Sequence, residues 1–224
     1  LIGLATIGQS PREDVTQSMF DPDTADSVLQ EGALDGLDAA DISRLEPASG
    51  EHPLVTRLTT GVEVVVAKER IISLLEASIQ RLVDGGSTLV CVLCTGEFDL
   101  NHRSVRIVYP DRLIAGVVDA LMPTGHLGVV IPHEGQSRSM TEKWKRPQRN
   151  VSIEVLSPYV AADSPASVFE RLSDSGCEMV VLDCMGYTRE LHELAQSASR
   201  GPVVLANGLV GSVLSSIVSV DQTR

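Results

Sequence analysis

The chain has 224 residues, 43% of them hydrophobic, and carries 18 Lys plus Arg against 30 Asp plus Glu, for a formal charge of -12. This is enough apolar material for one large or two small folded lobes, and so large an acidic excess argues against nucleic acid or an anionic membrane as the main partner. Four cysteines are too few for a disulfide scaffold, no apolar run reaches the roughly 18 residues that span a bilayer, and residues 1–7 lack the basic flank and cleavage site of a signal peptide, so a cytoplasmic protein with reduced thiols is expected.

Residues 1–7 read as a first strand, followed by a loop over 8–12. Pro11 at a first helical position and acidic Glu13 and Asp14 in the first turn mark a helix to about Met19. Periodicity is weak over 21–49, where 28–34 suits a short strand and 39–44 a short helix. Residues 54–58 and 62–67, separated by Thr59-Thr60-Gly61, predict a β-hairpin. A helix over 71–83 places Ile72, Leu75, Ile79 and Leu82 on one face and leads through Gly85-Gly86 into an apolar run over 88–93. Then come a strand over 105–109, a helix from Pro110 to Ala120, a strand over 126–131, a helix over 136–145 and a strand over 151–156. A helix over 166–173 and Gly176 precede a second apolar run over 179–182. A strand over 202–206 and a small-residue helix to about Val218 close the chain.

From Gly125 onward the order is strand, loop, helix, strand, helix, strand, Cys, which echoes the first half apart from the inserted hairpin. This predicts an α/β fold of two pseudo-symmetric, Rossmann-like lobes with mainly parallel sheets and a ligand cleft between them. The expected lobes are 1–120 plus 200–224 and 121–199, with the final strand and helix returning to the first lobe.

The strings Leu93-Cys94-Thr95-Gly96 and Asp183-Cys184-Met185-Gly186 each follow a short β-branched run, as expected of strands buried on both faces. Ligands in open α/β sheets bind beyond the carboxyl ends of the strands, so Cys94 and Cys184 face one ligand from two halves of the protein. Removing a proton beside a carboxylate needs a base on one face, an acid on the other and dipoles that hold the developing charge. A thiolate serves as the base once its pKa falls below its usual ~8.5, through a helix N-terminus or a nearby cation. Gly96 and Gly186, two residues beyond the thiols, expose backbone N–H groups suited to carboxylate oxygens, with Thr95 beside them.

Cys91 and Cys177 lie in or next to the apolar runs and read as core thiols. Cys91 and Cys94 are three apart on a strand and face opposite sides, which disfavours a redox pair. Gln9, Ser10 and Arg12 follow the first strand into the same cleft, Arg12 as a bidentate partner for a carboxylate. Tyr187 and Asn207 are further candidates to hold a ligand oxygen. Each has a plainer alternative: Arg12 as a solvated residue of a first helical turn, Tyr187 as packing, and Asn207-Gly208 as a left-handed turn. No phosphate loop, Gly-x-Gly-x-x-Gly or His-Glu-x-x-His string is present, so no cofactor and no metal are implied.

The strings Thr6-Ile7-Gly8-Gln9-Ser10-Pro11-Arg12, Val64-Val65-Val66-Ala67-Lys68-Glu69 and Leu182-Asp183-Cys184-Met185-Gly186-Tyr187 resemble the AroM family, and the resemblance spans essentially the whole chain. That family is similar to the aspartate/glutamate (and hydantoin) racemase superfamily, which implies two like α/β lobes with one catalytic Cys in each. In that superfamily the second Cys is commonly followed by Thr-His, which helps the amino-acid racemases bind substrate, whereas this chain has Met185-Gly186. The combined reading is a cofactor-independent racemase or isomerase acting on a small carboxylate metabolite. Cys94 and Cys184 are its acid and base, and Gln9, Ser10, Arg12, Thr95, Gly96, Gly186, Tyr187 and Asn207 surround the carboxylate. The alternatives are a non-catalytic metabolite-binding protein and a one-thiol decarboxylase or lyase on the same fold. The acidic surface and apolar helices also permit a homodimer.

Overall fold

The computed structural model describes residues 1–221 apart from 101, 103 and 161–163, with the backbone alone for 218–221. The first half runs β1 (Ile2–Thr6), α1 (Glu13–Met19), α2 (Pro22–Ser27), β2 (Leu29–Gly32), α3 (Ala39–Ser43), β3 (Pro53–Arg57), β4 (Glu63–Ala67), α4 (Lys68–Asp84), β5 (Leu89–Leu93), β6 (Arg106–Val108) and α5 (Pro110–Leu121). The second half runs β7 (Gly125–Ile131), a 3-10 turn (Glu134–Gln136), α6 (Ser137–Trp144), β8 (Arg149–Val155), α7 (Pro165–Asp174), β9 (Met179–Leu182), α8 (Arg189–Ala198), β10 (Val203–Leu205) and α9 (Ala206–Asp221).

Two four-stranded sheets result, ordered β2-β1-β5-β6 and β10-β9-β7-β8, and every pairing within them is parallel. The hairpin β3–β4 pairs antiparallel on its own. Parallel sheets need cover on both faces. On the outer face of the first sheet, α4 supplies Ile71, Leu75, Ile79 and Leu82 against Ala5, Val90 and Val92. On the outer face of the second, α7 supplies Val168, Phe169 and Leu172 against Val130, Val180 and Leu182. One continuous core joins the inner faces, with Leu4, Cys91 and Leu93 from one sheet, Leu127, Val129 and Val181 from the other, and Val15, Ile114, Val118, Val210 and Leu214 from α1, α5 and α9 between them.

The end of the chain departs from the sequence expectation. The strand β10 does not return to the first lobe; it pairs with β9 in register Val203↔Val180 to Leu205↔Leu182. A strand as buried as β9 needs a hydrogen-bonding neighbour on each side, and β10 is the nearest in sequence. Only α9 crosses back to pack on α1 and α5, and Gly211 permits the close approach, since a Cβ there would run into the Met19 backbone.

Two helices lie outside the elements read from the sequence, although both carry start signals. In α2, Asp21 caps the Thr24 N–H at 3.1 Å ahead of Pro22; in α8, Thr188 caps the Leu191 N–H at 3.3 Å with Glu190 in the first turn. No described helix is long and apolar enough to cross a membrane.

Candidate active site

The chain leaves β1, β5, β7, β8 and β9 at the same end of the two sheets, and the loops that follow enclose one cavity. Its walls include Ile7 and Arg12 after β1, Cys94, Thr95 and Gly96 after β5, Pro132 and Gln136 after β7, Tyr159 after β8, and Asp183, Cys184, Met185 and Gly186 after β9. Leu54, Val55 and Thr56 of the hairpin complete the enclosure, with Met140 of α6. The cavity measures about 30 Å³, room for about two water molecules. Through shared walls at Leu54, Gly96, Gln136 and Met140 it adjoins an outer recess of about 430 Å³ that also includes His52, Lys68 and Lys143.

The two thiols have matching surroundings. The Gly96 N–H donates to Cys94 Sγ at 3.4 Å, and the Gly186 N–H donates to Cys184 Sγ at 3.4 Å. Each loop thus turns back on its sulfur two residues later, a local consequence of the Cys-x-Gly spacing. The thiols are not low in pKa here. Burial pushes Cys94 up to about 11, partly opposed by the Gly96 N–H and Lys143, with Asp183 and Asp111 acting against them. Burial pushes Cys184 up to about 12, opposed by the Gly186 N–H and Arg12, while Cys94 itself adds to the rise. The expected help from a helix N-terminus is missing, because β5 runs into irregular chain and α8 starts only at Arg189.

A buried ion pair lies between the thiol loops. Lys143 Nζ donates to the Asp183 carboxylate at 2.9 and 3.2 Å and to the Thr95 carbonyl at 3.0 Å. Trp144 Nε1 donates to the same carboxylate at 2.7 Å, and the Thr95 hydroxyl donates to the Asp183 carbonyl at 3.0 Å. Arg12 provides a second cation at the cavity wall. Its Nε and Nη2 hold Asp14 bidentately at 2.9 Å, and Nη2 also donates to the Tyr159 hydroxyl at 2.7 Å. Burial works against the charge on Arg12, but Asp14 and Tyr159 outweigh it and raise its pKa. Tyr159 in turn lies over Gly186, where a Cβ would collide with the phenol oxygen.

Of the residues read from the sequence, Cys94, Cys184, Arg12, Thr95, Gly96 and Gly186 therefore line one cavity. Gln9, Ser10, Tyr187 and Asn207 do not. Gln9 Oε1 accepts from the Thr59 N–H at 3.0 Å and ties the first loop to the hairpin turn. Ser10 donates from N and Oγ to Asp35 at 2.8 and 2.6 Å. Tyr187 is buried with its hydroxyl on the Leu156 carbonyl at 2.7 Å. Asn207 lies in the first turn of α9, not in a left-handed turn, and its amide props the Cys184 loop through the Met185 and Tyr187 carbonyls at 3.0 and 2.7 Å. The Gln9, Tyr187 and Asn207 side chains are drawn to nearby backbone groups that would otherwise be left unpaired, and Ser10 to the Asp35 carboxylate.

Sequence reasoning missed Tyr159, Lys143, Thr56 and Gln136. Tyr159 follows a strand end like the thiols, which was the available signal; the other three reach the site from a helix, a hairpin and a 3-10 turn by packing alone. Among the described residues no group of three His, Cys, Asp or Glu side chains is placed to hold a metal ion.

A family model described as AroM protein matches residues 2–218, and no curated protein matches the chain. Among solved structures, a glutamate racemase from Francisella tularensis subsp. tularensis SCHU S4 in complex with D-glutamate is similar at TM-score 0.61 and 12% identity, over 99% of this chain and 81% of that one. An aspartate racemase homologue from Pyrococcus horikoshii OT3 is similar at TM-score 0.59 and 11% identity, over 97% and 98%. A variant of arylmalonate decarboxylase in a sulfate-associated form is similar at TM-score 0.55 and 12% identity, over 95% and 91%. At these identities the likeness is one of fold.

Proposed function

We propose that this chain, which belongs to the AroM family, is a cofactor-independent isomerase of the racemase type that acts on a small carboxylate through Cys94 and Cys184. The observation that carries the reading is the shared cavity, with one thiol from each sheet and a matching N–H donor on each sulfur. One sulfur, as thiolate, takes the proton from the carbon beside the carboxylate. The carbanion charge spreads into the carboxylate, held by Arg12. The other thiol then delivers its proton to the opposite face, which leaves the two sulfurs with their protonation states exchanged.

A thiol near pKa 11 is ionised in about one molecule in 10,000 at neutral pH. The closed cavity of about 30 Å³ also holds no metabolite. Both facts support a reading in which catalysis follows an opening that admits substrate from the outer recess, because contact with water and with the cations Arg12 and Lys143 favours the thiolate.

The test is a screen of small 2-substituted carboxylic acids in deuterated water, followed by proton exchange and optical rotation. Wild type is expected to exchange and racemise the substrate. Cys94→Ser and Cys184→Ser each lose racemisation, and each retains exchange on the face of its surviving thiol. Cys91→Ser, altered in the core, retains turnover. Loss on removal of only one thiol would instead assign one-thiol chemistry such as decarboxylation, and indifference to both would make the cleft a binding site.

A further inference from the structure

We propose that Asn207 is a positioning residue for Cys184: its carboxamide grips the carbonyl end of the peptide group whose N–H end donates to the sulfur, as Lys143 does for Cys94. The inference rests on the two-thiol reading of the cavity and deepens it.

The Met185 carbonyl and the Gly186 N–H are the two ends of one planar peptide group. Asn207 Nδ2 donates to that carbonyl at 3.0 Å, and the Gly186 N–H donates to Cys184 Sγ at 3.4 Å. In the other loop the Thr95 carbonyl and the Gly96 N–H form the equivalent group. Lys143 Nζ donates to the carbonyl at 3.0 Å, and the N–H donates to Cys94 Sγ at 3.4 Å. Each thiol is thus backed by a peptide dipole pinned from behind, by an ammonium group at Cys94 and by a carboxamide at Cys184. A hydrogen bond at the carbonyl polarises the amide and strengthens its N–H as a donor. Gly186, without a Cβ, does little to hold the peptide in one orientation by itself.

Strand register puts Asn207 in place. Leu205 of β10 pairs with Leu182 of β9, so Asn207 and Cys184 each lie two residues beyond a paired position, at the same end of the sheet. Asn207 is 1% exposed. Its second donated bond goes to the Tyr187 carbonyl at 2.7 Å, and its Oδ1 is buried with no partner. The two accepting carbonyls fix which way the amide faces, since a flipped amide would set oxygen against oxygen. An apolar side chain would fill the same space without the cost of an orphaned oxygen, so packing does not account for the amide and its two donated bonds do.

Arg12, Asp183, Cys94, Tyr159 and Tyr187 are the charged and titratable groups that act on Cys184 or feel its charge, and an apolar residue at 207 alters none of them. Of the influences that oppose the upward push of burial on this thiol, the Gly186 N–H is the largest. The Gly96 N–H has the same standing at Cys94.

The experiment alkylates the full chain with iodoacetamide at mildly alkaline pH and follows Cys94 and Cys184 separately by peptide mass spectrometry. The rate at Cys94 in the same molecule corrects for opening of the cavity. Asn207→Leu is expected to slow Cys184 about threefold relative to Cys94, the net of fewer thiolates and a somewhat more nucleophilic sulfur. A merely structural role gives the opposite sign, because a loosened loop exposes Cys184 and speeds its alkylation. An unchanged or raised ratio of Cys184 to Cys94 therefore overturns the inference. Wild type supplies a second measurement that needs no variant: hydrogen exchange followed by NMR should find both the Gly186 N–H and the Asn207 carboxamide protons protected, and free exchange of either overturns the inference as well. Alkylation requires no substrate. The expected ratio together with turnover that survives loss of both thiols would sink the catalytic reading and leave this inference standing, whereas an unchanged ratio together with racemisation lost in both serine variants would do the reverse.

Discussion

The Thr95 hydroxyl donates a 3.0 Å hydrogen bond to the main-chain carbonyl of Asp183, so the residue after one cavity thiol is tied directly to the residue before the other. Lys143 closes the same link from above, with its ammonium between the Thr95 carbonyl and the Asp183 carboxylate. The two thiol loops are thereby joined by a clamp across the sheets.

Thr95→Val keeps the shape of the side chain and removes one strand of this clamp. The freed Asp183 carbonyl is buried, so unfolding in urea should show a loss of about 1–3 kcal/mol. Turnover should fall more than affinity, because misplaced thiols affect the transfer of the proton more than the capture of the carboxylate. Equal loss in both would place Thr95 in binding.

Lys143→Met should be more damaging, since it strands the Asp183 charge in a site where the side chain has no exposure. Breaking a buried pair from one side costs about 3–5 kcal/mol. Adding Asp183→Asn should recover much of that loss, because the remaining Trp144 donor still finds an amide oxygen. Urea midpoints of the wild type, the single variant and the double variant measure both effects, and a double variant no better than the single would show that packing of the lysine stem, not charge, dominates.

The pH dependence follows from the two raised thiols. With the lower one near 11, kcat/KM should rise about tenfold per pH unit between about pH 7 and pH 10, because the thiolate fraction does, and fall once both sulfurs are ionised, with apparent values that belong to the pair. Stability runs the other way. Each folded-state pKa lies above the unfolded value of about 8.5, so the unfolded chain releases its proton first as pH rises. The stabilising contribution is complete below about 8.5 and declines towards the folded-state values of about 11 and 12. Urea midpoints at about pH 8 and pH 10.5 should differ by less in Cys91→Ser, which lacks a third thiol raised to about 12 by burial.

Gly186→Ala should act through Tyr159. The new methyl group occupies the space of the phenol oxygen, and displacing that ring removes a 2.7 Å bond from Arg12. Weaker carboxylate binding by about tenfold, with little change in thiol reactivity towards a neutral alkylating reagent, is the expected pattern. Unchanged binding would show that Asp14 alone holds the guanidinium in place.

The sequence by itself determined a good deal of this protein. The β-branched runs ending at Leu93 and Leu182 announced buried parallel strands, the Cys-x-Gly strings marked their carboxyl ends, and the alternation along the first run separated Cys91 in the inner core from Cys94 at the cavity. All of these are local signals, written within a few residues by strand period and glycine placement. Tertiary structure decided the rest. That β10 stays with β9 while α9 crosses to α1, that Tyr159, Thr56 and Lys143 form walls and clamp, and that Tyr187 and Asn207 turn away to hold backbone carbonyls depend on contacts between residues far apart in the chain. The protonation of the thiols belongs to this second class, because burial between two sheets sets it and no neighbouring residue in the sequence records how much water a sulfur will keep.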